Sequence, residues 1–140
     1  MKLYLVGILG LSATGCIPGI PIPTPKAPPK QASEIMNAAA IEPRSGAGVI
    51  VVNRDRALRR MGCTYDIALD GQVVAGLRNG ERVAIYADPG QRIVAVSIRP
   101  ENSCDPALAE VPVQVVANAT TTMRVVSDVA YDLRIELTTY

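Results

Sequence analysis

The chain of 140 residues contains no histidine, no phenylalanine and no tryptophan. Histidine is the commonest general base and a frequent metal ligand, so its absence removes the side chain on which much acid–base and metal chemistry depends. Without tryptophan and phenylalanine, the aromatic surfaces on which bases and sugars stack are nearly gone. The sequence also contains no phosphate-binding glycine loop, nucleophile elbow or metal-ligand motif. We therefore predict that the protein is not an enzyme and that it binds neither a metal nor another cofactor.

An excess of charge of either sign is also missing. The chain has 14 Lys and Arg against 13 Asp and Glu, and removal of Lys2 with a leader segment leaves 13 of each. A balanced charge gives no reason to expect a nucleic acid as the partner.

The first fifteen residues have the layout of an export signal. Lys2 supplies a positive charge, and the apolar run over residues 3–11 is too short to span a bilayer as a helix. Small residues then precede Cys16, with Ala13 where the motif usually has Leu, and this stretch resembles the lipobox of bacterial lipoproteins. The resemblance implies that residues 1–15 are a signal peptide, cleaved before a Cys16 that carries two or three acyl chains, palmitate among them. The alternative is an ordinary secretory signal with an incidental cysteine.

Lipid on Cys16 would anchor the protein to a membrane. Each buried CH₂ contributes roughly 0.8 kcal/mol, so two or three acyl chains hold a protein firmly. In Gram-negative lipoproteins an Asp directly after the lipidated cysteine favours retention at the inner membrane, whereas this chain has Ile17. The resemblance therefore implies localisation to the outer membrane, with the protein facing the periplasm.

A proline-rich tether follows the predicted anchor. Six prolines lie within residues 17–30, and proline fixes φ and has no N–H, so this stretch cannot form a helix or an inner strand. An extended spacer advances about 3.1 Å per residue, which puts the next ordered element on the order of 40 Å from the membrane. A ligand for a polyproline-reading module is the alternative interpretation.

The tether is predicted to end near residue 45. Ser33 as a cap, with alanines behind it, predicts a short helix over residues 31–40. Pro43, Ser45 and Gly46 then mark a boundary. The predicted organisation is a signal peptide over residues 1–15, a lipidated cysteine and tether over residues 16–45, and one domain over residues 46–140.

From Gly48 onward, hydrophobic residues alternate with a period of two, which predicts β-strands. Asp70-Gly71 and Asn79-Gly80 favour tight turns because these residues tolerate positive φ. Pro112 indicates an edge strand, since it has no N–H for a neighbour. The predicted fold is therefore all-β, an antiparallel β-sandwich of seven to eight strands of the immunoglobulin or transthyretin kind. The predicted strands cover residues 48–54, 63–70, 72–77, 81–87, 91–99, 111–117, 121–127 and 131–138.

The order of the turns resembles one known family. Asp70-Gly71, Asn79-Gly80 and Pro89-Gly90, with Leu77 among them and an alternating Val/Ile strand behind, resemble the meander of PEGA-like lipoprotein domains over residues 64–98. Those families often have His after the Pro-Gly, where this chain has Gln91-Arg92. The resemblance implies a non-catalytic envelope module and carries over no site residues.

Apart from Cys16, the chain has two cysteines, Cys63 and Cys104. The periplasm is oxidising, so they are predicted to form a disulfide bond. The bond would close about 40 residues, for which chain entropy gives stabilisation on the order of 4 kcal/mol. A redox-active or metal-binding pair is the alternative, but the chain has no His and no C-x-x-C spacing.

Four arginines cluster between the first two predicted strands: Arg54, Arg56, Arg59 and Arg60. Asp55 lies among them, so a solvated loop is one interpretation, and a docking patch for an acidic partner or for lipid phosphates is the other. We expect a lipid-anchored, non-catalytic module that docks to or scaffolds another cell-envelope protein. The alternative is a periplasmic ligand- or peptidoglycan-binding lipoprotein, which the lack of aromatic side chains disfavours.

Overall fold

The computed structural model describes residues 29–127 and 133–138, which form two five-stranded β-sheets. In chain order the strands are β1 (Lys30–Gln31), β2 (Glu34–Ile35), β3 (Gly48–Arg54), β4 (Tyr65–Leu69), β5 (Gln72–Leu77), β6 (Glu81–Ala87), β7 (Gly90–Ile98), β8 (Leu108–Val115), β9 (Thr120–Ser127) and β10 (Leu133–Thr138). A 3₁₀ helix spans Ala38–Ile41. Sheet 1 has the order β1-β6-β3-β9-β10, and sheet 2 has the order β2-β5-β4-β7-β8.

The two sheets differ in the direction of their pairing. All neighbours in sheet 2 are antiparallel. Sheet 1 combines antiparallel pairs with two parallel ones, β1 beside β6 and β3 beside β9. The centre of sheet 1 therefore forms only when the beginning and the end of the domain come together.

The predicted all-β sandwich is confirmed, and each of the eight predicted segments contains a strand. The count is ten rather than seven or eight, because the two-residue strands β1 and β2 precede them. Residues 131 and 132 of the last predicted segment lie outside the described residues.

The helix predicted over residues 31–40 is wrong. This segment runs extended from sheet 1 to sheet 2, and only its end turns into the 3₁₀ helix. The reason is that the outer edges of β6 and β5 supply backbone partners: Ala32 N donates to Arg82 O at 2.8 Å, and Met36 N donates to Val74 O at 2.8 Å. Tertiary hydrogen bonds thus outweigh the modest helix preference of the alanines.

The core lies between the sheets and is mainly aliphatic. Alternate residues of β3 and β6, such as Ile50 and Ile85, are fully buried, as are Ile67 in β4 and Met123 in β9. Tyr65 adds an aromatic ring that is 2% exposed. Branched aliphatic side chains fill the space that Phe and Trp occupy in other sandwiches.

The sandwich has two ends, which differ in their connections. Segments 55–64, 78–80 and 99–107 join strands at one end, which we call the loop end. Tight turns at residues 70–71 and 88–89, with segment 116–119, lie at the opposite end, the turn end. Lys30 N donates to Gly80 O at 3.0 Å. The chain therefore joins the sandwich at the loop end.

Candidate functional site

Arg54, the last residue of β3, points into the protein and is 3% exposed. Its guanidinium donates to the backbone carbonyls of Cys63 at 2.5 Å, Leu77 at 2.7 Å and Arg60 at 2.7 Å. It also lies 3.6 Å from the centroid of the Tyr65 ring. Burial lowers the pKa of Arg54. Arg54 therefore holds the loop end together from inside, and it does not belong to a surface patch.

The carboxylate of Glu81 also organises the loop end from a buried position. Glu81 is 8% exposed, and its negative charge opposes the lowering of the Arg54 pKa. It accepts a hydrogen bond from Arg78 N at 2.8 Å. Nearby, Asn79 Oδ1 accepts from Ala57 N at 2.9 Å. These contacts fix the segment that follows Arg54 against the turn between β5 and β6.

We call residues 55–62 the arginine loop, because it carries the other three arginines of the predicted patch. Arg56 and Arg59 are exposed, whereas Arg60 is half-buried and donates to Ser127 Oγ at 3.1 Å. The side chain of Arg56 lies over Gly80, with its Cγ 2.7 Å from where a Cβ at that glycine would stand. Three members of the predicted patch thus share one loop.

The arginine loop also exposes apolar side chains. Leu58 is 92% exposed and Met61 is 58% exposed. Single apolar residues are common on protein surfaces, whereas here two belong to the same short loop. The loop therefore presents two apolar side chains among basic ones.

The predicted disulfide bond between Cys63 and Cys104 is confirmed, with the two Cα atoms 5.8 Å apart. It ties the end of the arginine loop to segment 99–107. A shallow depression of about 390 Å³ lies beside the bond, between residues such as Met61 and Asn102. The disulfide bond and Arg54 hold the same end of the sandwich from two sides.

Arg99 forms an ion-pair cluster on the outer face of sheet 2. Its Nη2 lies 2.6 Å from Asp66 Oδ1 and 3.1 Å from Glu34 Oε1. Hydrogen bonds to Asp66 and then to Glu34 raise the pKa of Arg99 above its usual range. The guanidinium lies over Gly76, where a Cβ would stand 3.1 Å from Nη2. This cluster fastens β2 to β4 and bounds the outer face on that side.

The same outer face carries an apolar patch. Side chains of paired residues share one face of a sheet, and successive residues alternate between faces. Ala68 pairs with Val73 and Ala95, and Ile93 pairs with Pro112. The residues next to them in sequence, such as Val94, are buried in the core, so these five residues face solvent. The apolar patch comprises Ala68, Val73, Ile93, Ala95 and Pro112, with Val73 40% and Ile93 48% exposed.

Strand β8 borders this patch and forms the edge of sheet 2, as Pro112 predicted. No strand among the described residues pairs with its outer side, although β10 of sheet 1 packs close to β8. Ile98 N donates to Ala107 O at 2.9 Å, and bonded and non-bonded pairs alternate along an antiparallel ladder. The Ile93–Pro112 pair is therefore non-bonded, and the backbone of Pro112 faces the free edge. The N–H groups on that edge belong to Leu108, Glu110 and Gln114.

A cleft of about 210 Å³ opens at the turn end. Arg44 pairs there with Asp88 at 3.0 Å, and Arg92 pairs with Asp70 at 3.2 Å. Small-molecule sites usually measure about 300–1,000 Å³. The cleft is smaller than that, and the charges of its arginines are already compensated.

Residues 29–127 and 133–138 contain no helix that is long and apolar enough to cross a membrane. Within the same residues, no three His, Cys, Asp or Glu side chains are grouped to hold a metal ion. Cys16 and the predicted signal peptide lie outside the described residues. Comparisons with protein-family models, with curated proteins and with solved structures give no match to this chain.

Two features were not predicted, the burial of Arg54 and the apolar patch, although the sequence contains a signal for each. In β3, Ile50, Val52 and Arg54 share one parity, which places Arg54 on the core side. In β7, residues 93–96 are a continuous apolar run rather than an alternating one, which is typical of a strand with apolar side chains on both faces. The continuous apolar run in β7, and not the arginine cluster, is the sequence feature that corresponds to the exposed apolar patch.

Proposed function

We propose that the protein is a lipid-anchored, non-catalytic module of the outer membrane that docks to another envelope protein from the periplasmic side. The observation that carries this proposal is the apolar patch, which continues into the unpaired edge of β8. The solvent face of an antiparallel sheet is normally polar. A contiguous apolar surface beside a free strand edge is typical of a protein interaction site.

The partner chemistry follows from the edge. An extended segment of the partner would add to β8 and accept from the N–H groups of Leu108, Glu110 and Gln114. On the outer face of sheet 2 its side chains would lie beside Leu108 and Pro112 of β8, next to the apolar patch. Pro112 has no N–H, so one hydrogen bond in the middle of this edge is missing, and the partner strand would have one carbonyl without a donor there. This gap restricts indiscriminate pairing between edges.

A ligand-binding function has less support. The turn-end cleft is small, and Arg44 and Arg92 are held by carboxylates of the protein itself. The depression of about 390 Å³ beside the disulfide bond is large enough for a small molecule, but it is shallow. The lipid anchor and the outer-membrane location rest on the lipobox resemblance, and the PEGA-like resemblance stays a prediction.

The docking proposal is tested by site-specific photo-crosslinking in the native envelope. A photoreactive phenylalanine analogue replaces Ile93 or Leu108 on the docking side. The matched control carries it at Thr120, an exposed residue on the outer face of sheet 1. We expect one reproducible protein adduct from positions 93 and 108, identified by mass spectrometry, and none from position 120.

A charged substitution in the apolar patch provides a second test of the docking proposal. Ala68→Glu places a carboxylate between Val73 and Ala95 and is expected to lower the adduct yield on the order of tenfold. Thr122→Glu, on the outer face of sheet 1, should leave the yield unchanged. Recovery of the protein alone from every position, or equal labelling of both sheets, would overturn the proposal.

A further inference from the structure

We propose that the arginine loop is a second contact surface, and that it binds the surface of an anionic phospholipid membrane. The contact would orient the sandwich with its loop end toward the bilayer. The inference rests on the lipid anchor of the proposed function but not on the docking partner. It uses a different end of the molecule from the apolar patch.

The first argument is the shape of the loop. Leu58 is 92% exposed and Met61 is 58% exposed, although both belong to a segment fixed by several contacts. Arg54 holds the carbonyl of Arg60 from below, and the disulfide bond of Cys63 closes the loop. A fixed loop pays little conformational entropy when its apolar side chains enter an interface.

The second argument is charge. Arg56, Arg59 and Arg60 flank the two apolar side chains, and Asp55 among them is paired with Arg124. Each Lys or Arg near an anionic lipid surface raises the equilibrium constant for membrane contact by about fivefold. Over the described residues, basic side chains outnumber acidic ones at the loop end: Lys30, Arg54, Arg56, Arg59, Arg60, Arg78 and Arg99 against Asp55, Glu81, Glu101 and Asp105. Asp128 and Asp132, between β9 and β10 in the sequence, lie outside the described residues.

The third argument is where the chain joins the fold. Lys30 begins β1 beside Gly80, and Gly80 is covered by Arg56 of the arginine loop. A tether that starts from lipid on Cys16 therefore ends next to this loop. Its extended length sets an upper limit on the order of 40 Å, and any tilt of the tether brings the loop end nearer to the bilayer. The turn end and the loop end are thus not equivalent with respect to the membrane.

The absence of tryptophan from the chain makes a direct test simple, because Leu58→Trp creates a single fluorescent reporter at the loop tip. The full lipidated chain is purified and reconstituted into vesicles of phosphatidylethanolamine and phosphatidylglycerol that contain brominated acyl chains. The matched control is Val116→Trp, a 57% exposed position at the turn end. Met61→Trp replaces the first variant if that one does not fold.

We expect the emission of Trp at position 58 to shift to shorter wavelength and to be quenched by the bromines, and the emission at position 116 to be unaffected. Arg59→Glu in the Leu58→Trp chain should lower the quenched fraction on the order of tenfold, and Arg59→Lys should not. Vesicles of phosphatidylcholine alone should quench position 58 much less.

Three results would overturn the inference. Equal quenching at positions 58 and 116 would indicate nonspecific adsorption, and quenching at neither would indicate that the tether holds the domain away from the bilayer. An unquenched reporter at position 58 that becomes shielded only when envelope proteins are added would assign the loop to a protein partner. Whether Cys16 carries lipid is tested separately. Mass spectrometry of the purified chain would show the acyl chains, and a chain without lipid would not float with the vesicles in a density gradient.

Discussion

The guanidinium of Arg54 lies 3.6 Å from the centroid of the Tyr65 ring, and this contact joins the two sheets at the loop end. Arg54 is the last residue of β3 in sheet 1, and Tyr65 is the first residue of β4 in sheet 2. The same guanidinium is hydrogen-bonded to three backbone carbonyls, two of which belong to the connection between these strands. One buried cation thus fixes both the packing of the sheets and the arginine loop.

Replacement of Arg54 by Met should destabilise the domain strongly. The change removes the ring contact and leaves three carbonyls and the buried Glu81 without their donor or counter-charge. We expect a loss of about 3 kcal/mol in the free energy of unfolding, measured by urea denaturation. Arg54→Lys, which keeps the charge but cannot reach three acceptors in a planar fork, should recover only part of the loss. An unchanged midpoint for Arg54→Met would contradict this role.

Reduction of the disulfide bond should lower stability by about 4 kcal/mol, because the bond closes a loop with a sequence separation of 41. Urea midpoints with and without reductant, or for Cys63→Ala combined with Cys104→Ala, measure the difference. Alkylation of the unreduced protein followed by mass spectrometry gives the control. Two labelled thiols in the native protein would show that the bond is not formed.

Gly48→Ala should cost about 2 kcal/mol, because a Cβ at this position meets the side chain of Val115 and lies 2.6 Å from the backbone oxygen of Val116. Backbone cannot move aside as a flexible side chain does. Gly62→Ala is the matched control, since nothing lies within 4 Å of its Cβ position, and its change should stay within about 0.5 kcal/mol. Thermal unfolding of the two variants compares them, and similar losses would refute the steric argument.

Asp66→Asn should lower the free energy of unfolding by about 1 kcal/mol, because it weakens the hydrogen bonds to Arg99. Asp88→Asn breaks the exposed pair with Arg44, which is expected to contribute about 0–0.5 kcal/mol. Urea denaturation at low and high salt separates the two cases, since salt screens the exposed pair more. Equal effects of the two substitutions would argue against a special role for the Arg99 cluster.

The strands were predictable because their alternation and their turns are local properties. Gly48–Arg54, Gln72–Leu77 and Glu81–Ala87 begin and end where the pattern predicts. The disulfide bond was predictable from the even number of cysteines that remain beside Cys16 and from the predicted oxidising compartment. The short strands β1 and β2 were not, because the alanine-rich segment over residues 30–41 pairs only where distant edges offer backbone groups.

The candidate site, in contrast, could be predicted only in part, because it depends on tertiary contacts. The four arginines were recognised as a group, but their separation into one buried side chain and three on a loop depends on where Tyr65 and the carbonyl of Leu77 lie. The apolar patch depends on which face of β7 turns toward sheet 1, and a run such as residues 93–96 leaves both faces equally apolar.

The sequence by itself determined the alternating strands and tight turns of this protein, each from a few neighbouring residues. It also predicts an export signal with Cys16 and a proline-rich tether. The tertiary structure alone decided that β3 and β9 lie side by side in parallel, that Arg54 is buried while Leu58 is not, and that the free edge of β8 adjoins an apolar surface. The physical reason is the separation along the chain over which each interaction acts. Periodicity and turn chemistry act over a few residues, whereas burial and edge exposure are set by contacts between residues far apart in the chain.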